Sequence, residues 1–179
     1  MEKNSIFSIF LRYVVLILLA LPNLWLFYLV FTPLTVYPVY FLLNVFFPVS
    51  LISSIAILIN QNIPIEIIEA CVAGSAYYLL TTLNLTTGNI KAKTRIYMIL
   101  FSFLVFLVVN VLRIFLLSIL AVSGSSFFDI THVVFWYTLS TLFVVAIWFF
   151  QVRIFKIKQI PVYSDLKFLY EKSIMNKRK

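Results

Sequence analysis

The chain of 179 residues is 63% hydrophobic and 18% aromatic, and only 11% of its residues are charged. One soluble core could not bury so much apolar surface, so the composition excludes an ordinary soluble domain and indicates an integral membrane protein. The net charge is +8. The chain contains one cysteine and one histidine, and these counts exclude an intramolecular disulfide, a multi-cysteine metal site and a histidine cluster.

Four apolar runs are long enough to cross a hydrocarbon core of about 30 Å as helices. They cover residues 7–31, 65–86, 96–121 and 131–152. The first run is longer than the apolar region of a signal peptide and does not end in a small-x-small cleavage site, so we expect it to be retained. The fold class predicted is all-α: one polytopic transmembrane bundle over residues 1–155, with about five membrane helices.

The segment 32–60 is the uncertain part of this bundle. Pro33, Pro38 and Pro48 disfavour one straight helix there. The segment is predicted either to span once or to bend back as a re-entrant or Pro-broken hairpin.

Residues 156–179 are predicted to form a basic cytoplasmic tail. Ser164 is a candidate N-cap for a short amphipathic helix whose apolar residues recur at helical spacing: Leu166, Leu169, Tyr170 and Ile174. Such a helix would lie on the membrane surface. Nucleic-acid binding is the alternative for a basic tail, but membrane retention explains the charge without another partner.

The basic residues predict the orientation of the bundle. Apart from Arg113, they fall in three groups: Lys3 and Arg12, three residues within 91–95, and eight from Arg153 onward. The positive-inside rule places these groups in the cytoplasm and the 122–130 loop outside. The N-terminus is then inside if residues 32–60 enter and leave on the outer side, and outside if they span once.

Three polar residues from three predicted helices fall at one membrane level under this scheme. Cys71 lies about 9 Å and Arg113 about 12 Å below the outer ends of their helices, and His132 begins the last helix at the outer face. A lone cysteine is usually a packing residue, and a histidine at a helix start is often interfacial. An arginine within a membrane helix is a candidate functional residue because its burial is costly, although a structural ion pair with Glu66 or Glu69 would also explain it.

The motifs around these residues are "EACVAG" at 69–74 and "NVLRI" at 110–114, followed by His132 at the head of the next helix. Their order resembles the exosortase/archaeosortase family of membrane cysteine transpeptidases. Bacterial members commonly have Ser-Gly after the cysteine, where this chain has Val72 and Ala73, and often a glycine at the position of Trp136. The chain therefore looks most like the small archaeal branch.

The resemblance implies a catalytic set of Cys71, Arg113 and His132. Cys71 would be the nucleophile, His132 the general acid and base, and Arg113 the group that favours the thiolate and binds the oxyanion. Asn110 and Glu69 are supporting candidates: Asn110 lies one turn before Arg113, and Glu69 either complements the helix dipole or pairs with Arg113 or His132. No cofactor or metal is expected.

The resemblance also implies the substrates. They would be exported proteins with a C-terminal sorting signal made of a short motif, a transmembrane helix and a basic tail. The enzyme would act at the extracytoplasmic face of the plasma membrane and transfer the cleaved protein to an acceptor, expected to be a lipid. The alternative is a non-enzymatic membrane assembly factor or small transporter in which these side chains form a polar structural cluster.

Overall fold

The computed structural model describes residues 6–21, 23–125, 127–134 and 140–177, without the side chains of Asp129, Ser140 and residues 174–177. Lys3 and Trp136 lie outside this part of the chain. The described residues are mostly helical, and a small antiparallel sheet follows the second helix.

The first apolar run does not form one helix. Helix α1 covers Ile6–Ala20 and helix α2 covers Trp25–Phe46. Between them, Asn23 and Leu24 have left-handed backbone conformations, with φ of 48° and 60°. A left-handed residue cannot continue a right-handed helix, so the prediction of one helix over 7–31 is wrong.

Helix α2 passes through Pro33 and Pro38, so the hairpin, one of the two alternatives predicted for 32–60, is wrong. Proline removes one hydrogen bond from a helix, but apolar surroundings provide no water to satisfy the many groups that unwinding would expose. The helix therefore continues through the prolines, and its packing against neighbouring helices stabilises it. Pro48 lies between the end of α2 and the first strand.

Residues 49–66 form the sheet, which the all-α prediction did not include. Its strands are β1 (Val49–Leu51), β2 (Ala56–Ile59) and β3 (Ile63–Glu66), paired antiparallel in the order β1-β2-β3. Strands β2 and β3 each contain two isoleucines, a residue that favours extended backbone, and burial alternates along β2. The turn between β2 and β3 places Asn60 and Gln61 in left-handed conformations.

The predicted helix over 65–86 is divided into a strand and two helices. After β3 come α3 (Glu69–Val72) and α4 (Gly74–Leu85), separated by Ala73 in a left-handed conformation with φ of 60°. Helix α5 (Ala92–Val122) contains the whole predicted run 96–121. Helices α2 and α5 are the two that are long and apolar enough to cross a membrane among the described residues.

Three helices complete the described chain: α6 (Phe128–Val134), α7 (Ser140–Ile154) and α8 (Tyr163–Lys177). The predicted run 131–152 overlaps α6 and α7, and residues 135–139 between them are not described. Ser164 lies inside α8, where its hydroxyl donates to the Ile160 carbonyl at 2.5 Å, so it is not the predicted N-cap.

Aromatic contacts give the relative directions of the long helices. Phe31 and Phe46 of α2 contact Phe103 and Phe115 of α5 in the same order, so these two helices run parallel. Helix α4 runs antiparallel to α5, because Tyr77 near its start packs against Phe103 while Arg95 donates to the Thr87 carbonyl just beyond its end. The fully buried Tyr77 ring also stacks on Phe31 at 3.6 Å between centroids and so lies at the centre of the core.

The molecule has two chemically different ends. The basic end contains the start of α5, the end of α7 and the start of α8; the sheet end contains β1–β3 and the end of α5. Arg12 belongs to the basic end: its guanidinium pairs with Asp165 at 2.9 Å and donates to the carbonyls of Leu85 and Thr87. Arg12 is therefore a second buried arginine within a helix, which the sequence analysis treated as a charge near the N-terminus.

Candidate functional site

The break at Ala73 sets the position of Cys71. In an unbroken helix, the carbonyls of Cys71 and Val72 would accept hydrogen bonds from the next turn. Here they accept from α5 instead: Asn110 Nδ2 lies 2.9 Å from the Cys71 oxygen and 3.4 Å from the Val72 oxygen. Arg113 Nη2 donates to the same Cys71 oxygen at 3.3 Å. Two side chains of α5 therefore hold the one-turn helix that carries the cysteine.

A cavity of about 270 Å³ at the sheet end brings the three predicted catalytic residues together. Cys71 reaches it from α3, Arg113 from α5 and His132 from α6. The other lining residues come mainly from β3 and the last turns of α5: Ile63, Pro64, Ile65, Glu66, Ile67, Ala70, Ile114, Leu117, Ser118, Ala121 and Phe128. The three polar side chains thus share a largely apolar chamber.

The environment of the Cys71 thiol favours its neutral form. Burial raises the pKa of Cys71, while the Arg113 guanidinium and a hydrogen bond from the Ile68 backbone lower it, and burial is the largest effect. The thiol is half-buried and free of any disulfide. A raised pKa disfavours the thiolate, so the thiol needs a base to become a nucleophile.

His132 contributes an imidazole to the cavity wall. It is half-buried, and its ring stacks on that of Phe128 one turn earlier, with centroids 5.6 Å apart and planes 8° from parallel. This stacking fixes the plane of the imidazole within α6. Arg113 is 8% exposed, so it is enclosed by protein more completely than either Cys71 or His132.

Glu66 and Glu69 do not lie on one continuous helix as the sequence predicts, because Glu66 ends β3 and Glu69 begins α3. Glu69 is exposed in the first turn of α3 and is close enough to Tyr28 of α2 to interact with its hydroxyl electrostatically, and it does not line the cavity. Glu66 does line it, because β3 runs along the wall. Isoleucine alternates with other residues in "IPIEI" at 63–67, directly after the turn residues Asn60 to Asn62, and this alternation is the signal that would have predicted the strand.

No cluster of three or more His, Cys, Asp or Glu that could hold a metal ion occurs in the described part of the chain. Comparisons of the sequence and structure with protein-family models, curated proteins and solved structures give no match.

Proposed function

We propose that the protein is a membrane-embedded cysteine transpeptidase of the archaeosortase type. The observation that carries this proposal is the shared cavity, to which three separate elements contribute a thiol, a guanidinium and an imidazole. These are the groups that acyl transfer through a thioester requires: a nucleophile, an oxyanion donor and a proton carrier. A purely structural arginine would not need a cysteine and a histidine on the same wall.

The reaction begins when a substrate carbonyl enters the cavity beside Cys71. His132 takes the thiol proton, sulfur attacks the carbonyl carbon, and the developing oxyanion is stabilised by Arg113. The C–N bond then breaks and the leaving amine receives the proton from His132, which leaves a thioester on Cys71. An amine or hydroxyl of the acceptor attacks this thioester and gives its proton to His132, which returns it to the thiol.

The position of the site supports an extracytoplasmic reaction. The cavity lies at the sheet end, whereas Arg12, the 91–95 segment and the start of α8 lie at the basic end. The positive-inside rule assigns the basic end to the cytoplasm. The N-terminus is then cytoplasmic, because Arg12 is at that end, and the cavity faces outward in the plasma membrane. Substrates would be exported proteins with a C-terminal sorting signal, and the acceptor a lipid.

The test is processing of a co-expressed exported protein that ends in a short motif, a transmembrane helix and basic residues. Cys71→Ala should leave this substrate full-length and anchored in the membrane, whereas the wild-type chain should shorten it. Cys71→Ser is the matched variant, since a scaffold or transporter tolerates this near-isosteric change and a thiol enzyme does not. Normal processing by Cys71→Ala, at normal abundance of the variant, would exclude the proposed nucleophile.

A further inference from the structure

Strand β3 forms an open edge of the sheet beside the cavity. β2 pairs with one side of it, and no other strand of the described chain pairs with the opposite side. Five consecutive residues, 63–67, line the cavity, although their side chains alternate between the two faces of the sheet. No residue of β1 or β2 is among those lining residues. The cavity therefore runs along the open edge of β3 and not across a face.

The register shows which backbone groups face this edge. The Ile67 N–H donates to the Ile55 carbonyl at 2.8 Å, so Ile67 points its backbone groups toward β2. By the alternation of an antiparallel ladder, Ile65 and Ile63 do the same opposite Ile57 and Ile59.

The residues in between, Pro64 and Glu66, direct their backbone groups outward. Proline has no N–H to offer at this edge, and this is the position where a strand tolerates it. The open edge thus presents the Pro64 carbonyl together with the N–H and carbonyl of Glu66.

We propose that a substrate polypeptide binds here in extended conformation, as a fourth strand that pairs with Glu66 and reaches Cys71; this rests on the function proposed above. An edge of alternating donors and acceptors matches the backbone of a peptide, whereas an acyl chain offers neither. The opposite wall, with Ile114, Leu117 and Ala121, accommodates small or apolar side chains. The hydrogen-bonded pairing between peptide and strand is short, because Pro64 contributes only its carbonyl. Glu66, which contributes both an N–H and a carbonyl, therefore fixes the register of the peptide.

The binding test uses the full chain carrying Cys71→Ala in lipid nanodiscs, so that it is independent of thiol chemistry. The probe is an acetylated, amidated tetrapeptide of alanine and valine with one diazirine side chain, and cross-linked residues are mapped by mass spectrometry. We expect cross-links to residues 63–67. A probe with N-methylated backbone amides cannot donate to the edge carbonyls and should cross-link less efficiently.

Two substitutions at one position separate the backbone from the side chain. Glu66→Pro removes the outward N–H without removing a bond to β2, and should weaken probe binding by about twofold to tenfold, the effect of one hydrogen bond. Glu66→Ala changes the same side chain but keeps the N–H, so it should bind the probe more tightly than Glu66→Pro does. The proposal would be overturned if Glu66→Pro, with unchanged circular dichroism, bound the probe as tightly as the parent. It would also be overturned if the N-methylated probe cross-linked as efficiently as the unmethylated one, or if the cross-links lay away from β3.

A second arm distinguishes this site from the proposed enzyme activity. The same peptide is made as a chloromethyl ketone and added to the chain with Cys71 intact. Alkylation of Cys71 that weakens in Glu66→Pro supports both proposals. Cross-links to β3 without alkylation of Cys71 would contradict the nucleophile and retain the strand site, whereas alkylation that is equally fast in Glu66→Pro would contradict the strand site alone.

Discussion

Arg113 has a structural role at the break after α3 and, in the proposed mechanism, a chemical role in the cavity. Its Nη2 atom holds the Cys71 carbonyl at the break between α3 and α4, and the same side chain lines the cavity where an oxyanion would form. A guanidinium has five N–H donors in a fixed plane, so one group can bind two oxygens at once. In the proposed mechanism, the arginine would therefore link the position of the nucleophile to the stabilisation of the transition state.

Replacing Arg113 by lysine tests this double role. Arg113→Lys keeps the charge but loses the planar donors, so we expect it to insert in the membrane and to process a co-expressed substrate at least about tenfold more slowly. The measurement is a gel-shift assay of the substrate, with the membrane level of the variant followed in parallel. Near-normal processing would show that a point charge is sufficient.

The pH dependence of Cys71 alkylation tests the electrostatics of the site. Only the thiolate reacts, so the rate with iodoacetamide rises as pH passes through the thiol pKa. Burial raises the pKa of Cys71 and Arg113 lowers it, so Arg113→Gln should move the midpoint to higher pH. Arg95→Gln, at the basic end, is the matched control and should leave the midpoint unchanged. A midpoint that stays in place in both variants would show that Arg113 does not influence the thiol.

At the scale of elements, the contact between α2 and α4 depends on the absence of a side chain at Gly74. A Cβ atom there would lie 2.7 Å from Cε1 and 2.8 Å from Cζ of Tyr28, closer than side chains approach one another. The left-handed Ala73 and the small Gly74 together let α4 start directly against α2. This packing places α3, and with it Cys71, next to α5.

Gly74→Ala should therefore destabilise the protein, by about 1–3 kcal/mol for an overpacked contact. Tyr28→Ala removes the ring, and the double variant should regain part of the loss that Gly74→Ala causes in the parent. Thermal unfolding in detergent, arranged as a double-mutant cycle, measures this coupling. Additive effects of the two substitutions would contradict the contact.

Composition and periodicity predicted part of this arrangement. A long uninterrupted apolar run identifies α5. Its 31 residues form one regular helix, so the length and hydrophobicity of the run are enough to predict it. The sheet was missed because its isoleucine-rich strands are as apolar as a membrane helix, and the search for long runs hides a period of two. The break at Ala73 was not predictable from its residue type, since alanine favours helices. The two carbonyls freed by the break accept hydrogen bonds from Asn110, which lies 39 and 38 residues further along the chain than Cys71 and Val72.

The candidate site was predicted in part. The residue types of Cys71, Arg113 and His132 stand out in apolar runs, and the structure brings them to one cavity. The contribution of Glu66 was not predicted, because it depends on a strand in place of a helix. The bonds from Asn110 to two main-chain carbonyls could not be read from a motif, since they exist only because α3 ends after one turn.

At the scale of the whole molecule, basic residues are concentrated at one end. The 91–95 segment lies there at the start of α5, together with Arg12 and its partner Asp165. Glu66 and Glu69 lie at the sheet end, where Arg113 lines the cavity. From the positive-inside rule we expect one direction of insertion, with the basic end in the cytoplasm.

Single cysteines introduced into a Cys71→Ala background test that direction. Ser125→Cys should react with a membrane-impermeant maleimide added to intact cells, because residue 125 follows α5 at the sheet end. Lys91, just before α5, and Lys172, in α8, are both exposed. Lys91→Cys and Lys172→Cys should react only after the membrane is opened. Labelling of Lys91→Cys in intact cells would reverse the orientation and move the cavity to the cytoplasm.

The pair formed by Arg12 and Asp165 has a consequence for how the protein is made. The two residues are 153 positions apart, so the ribosome adds the aspartate roughly 8–30 s after the arginine. During that interval α1 carries a guanidinium without its carboxylate partner. Helix α1 therefore reaches its final environment only after α8 has been made, so a later helix completes the packing of an earlier one.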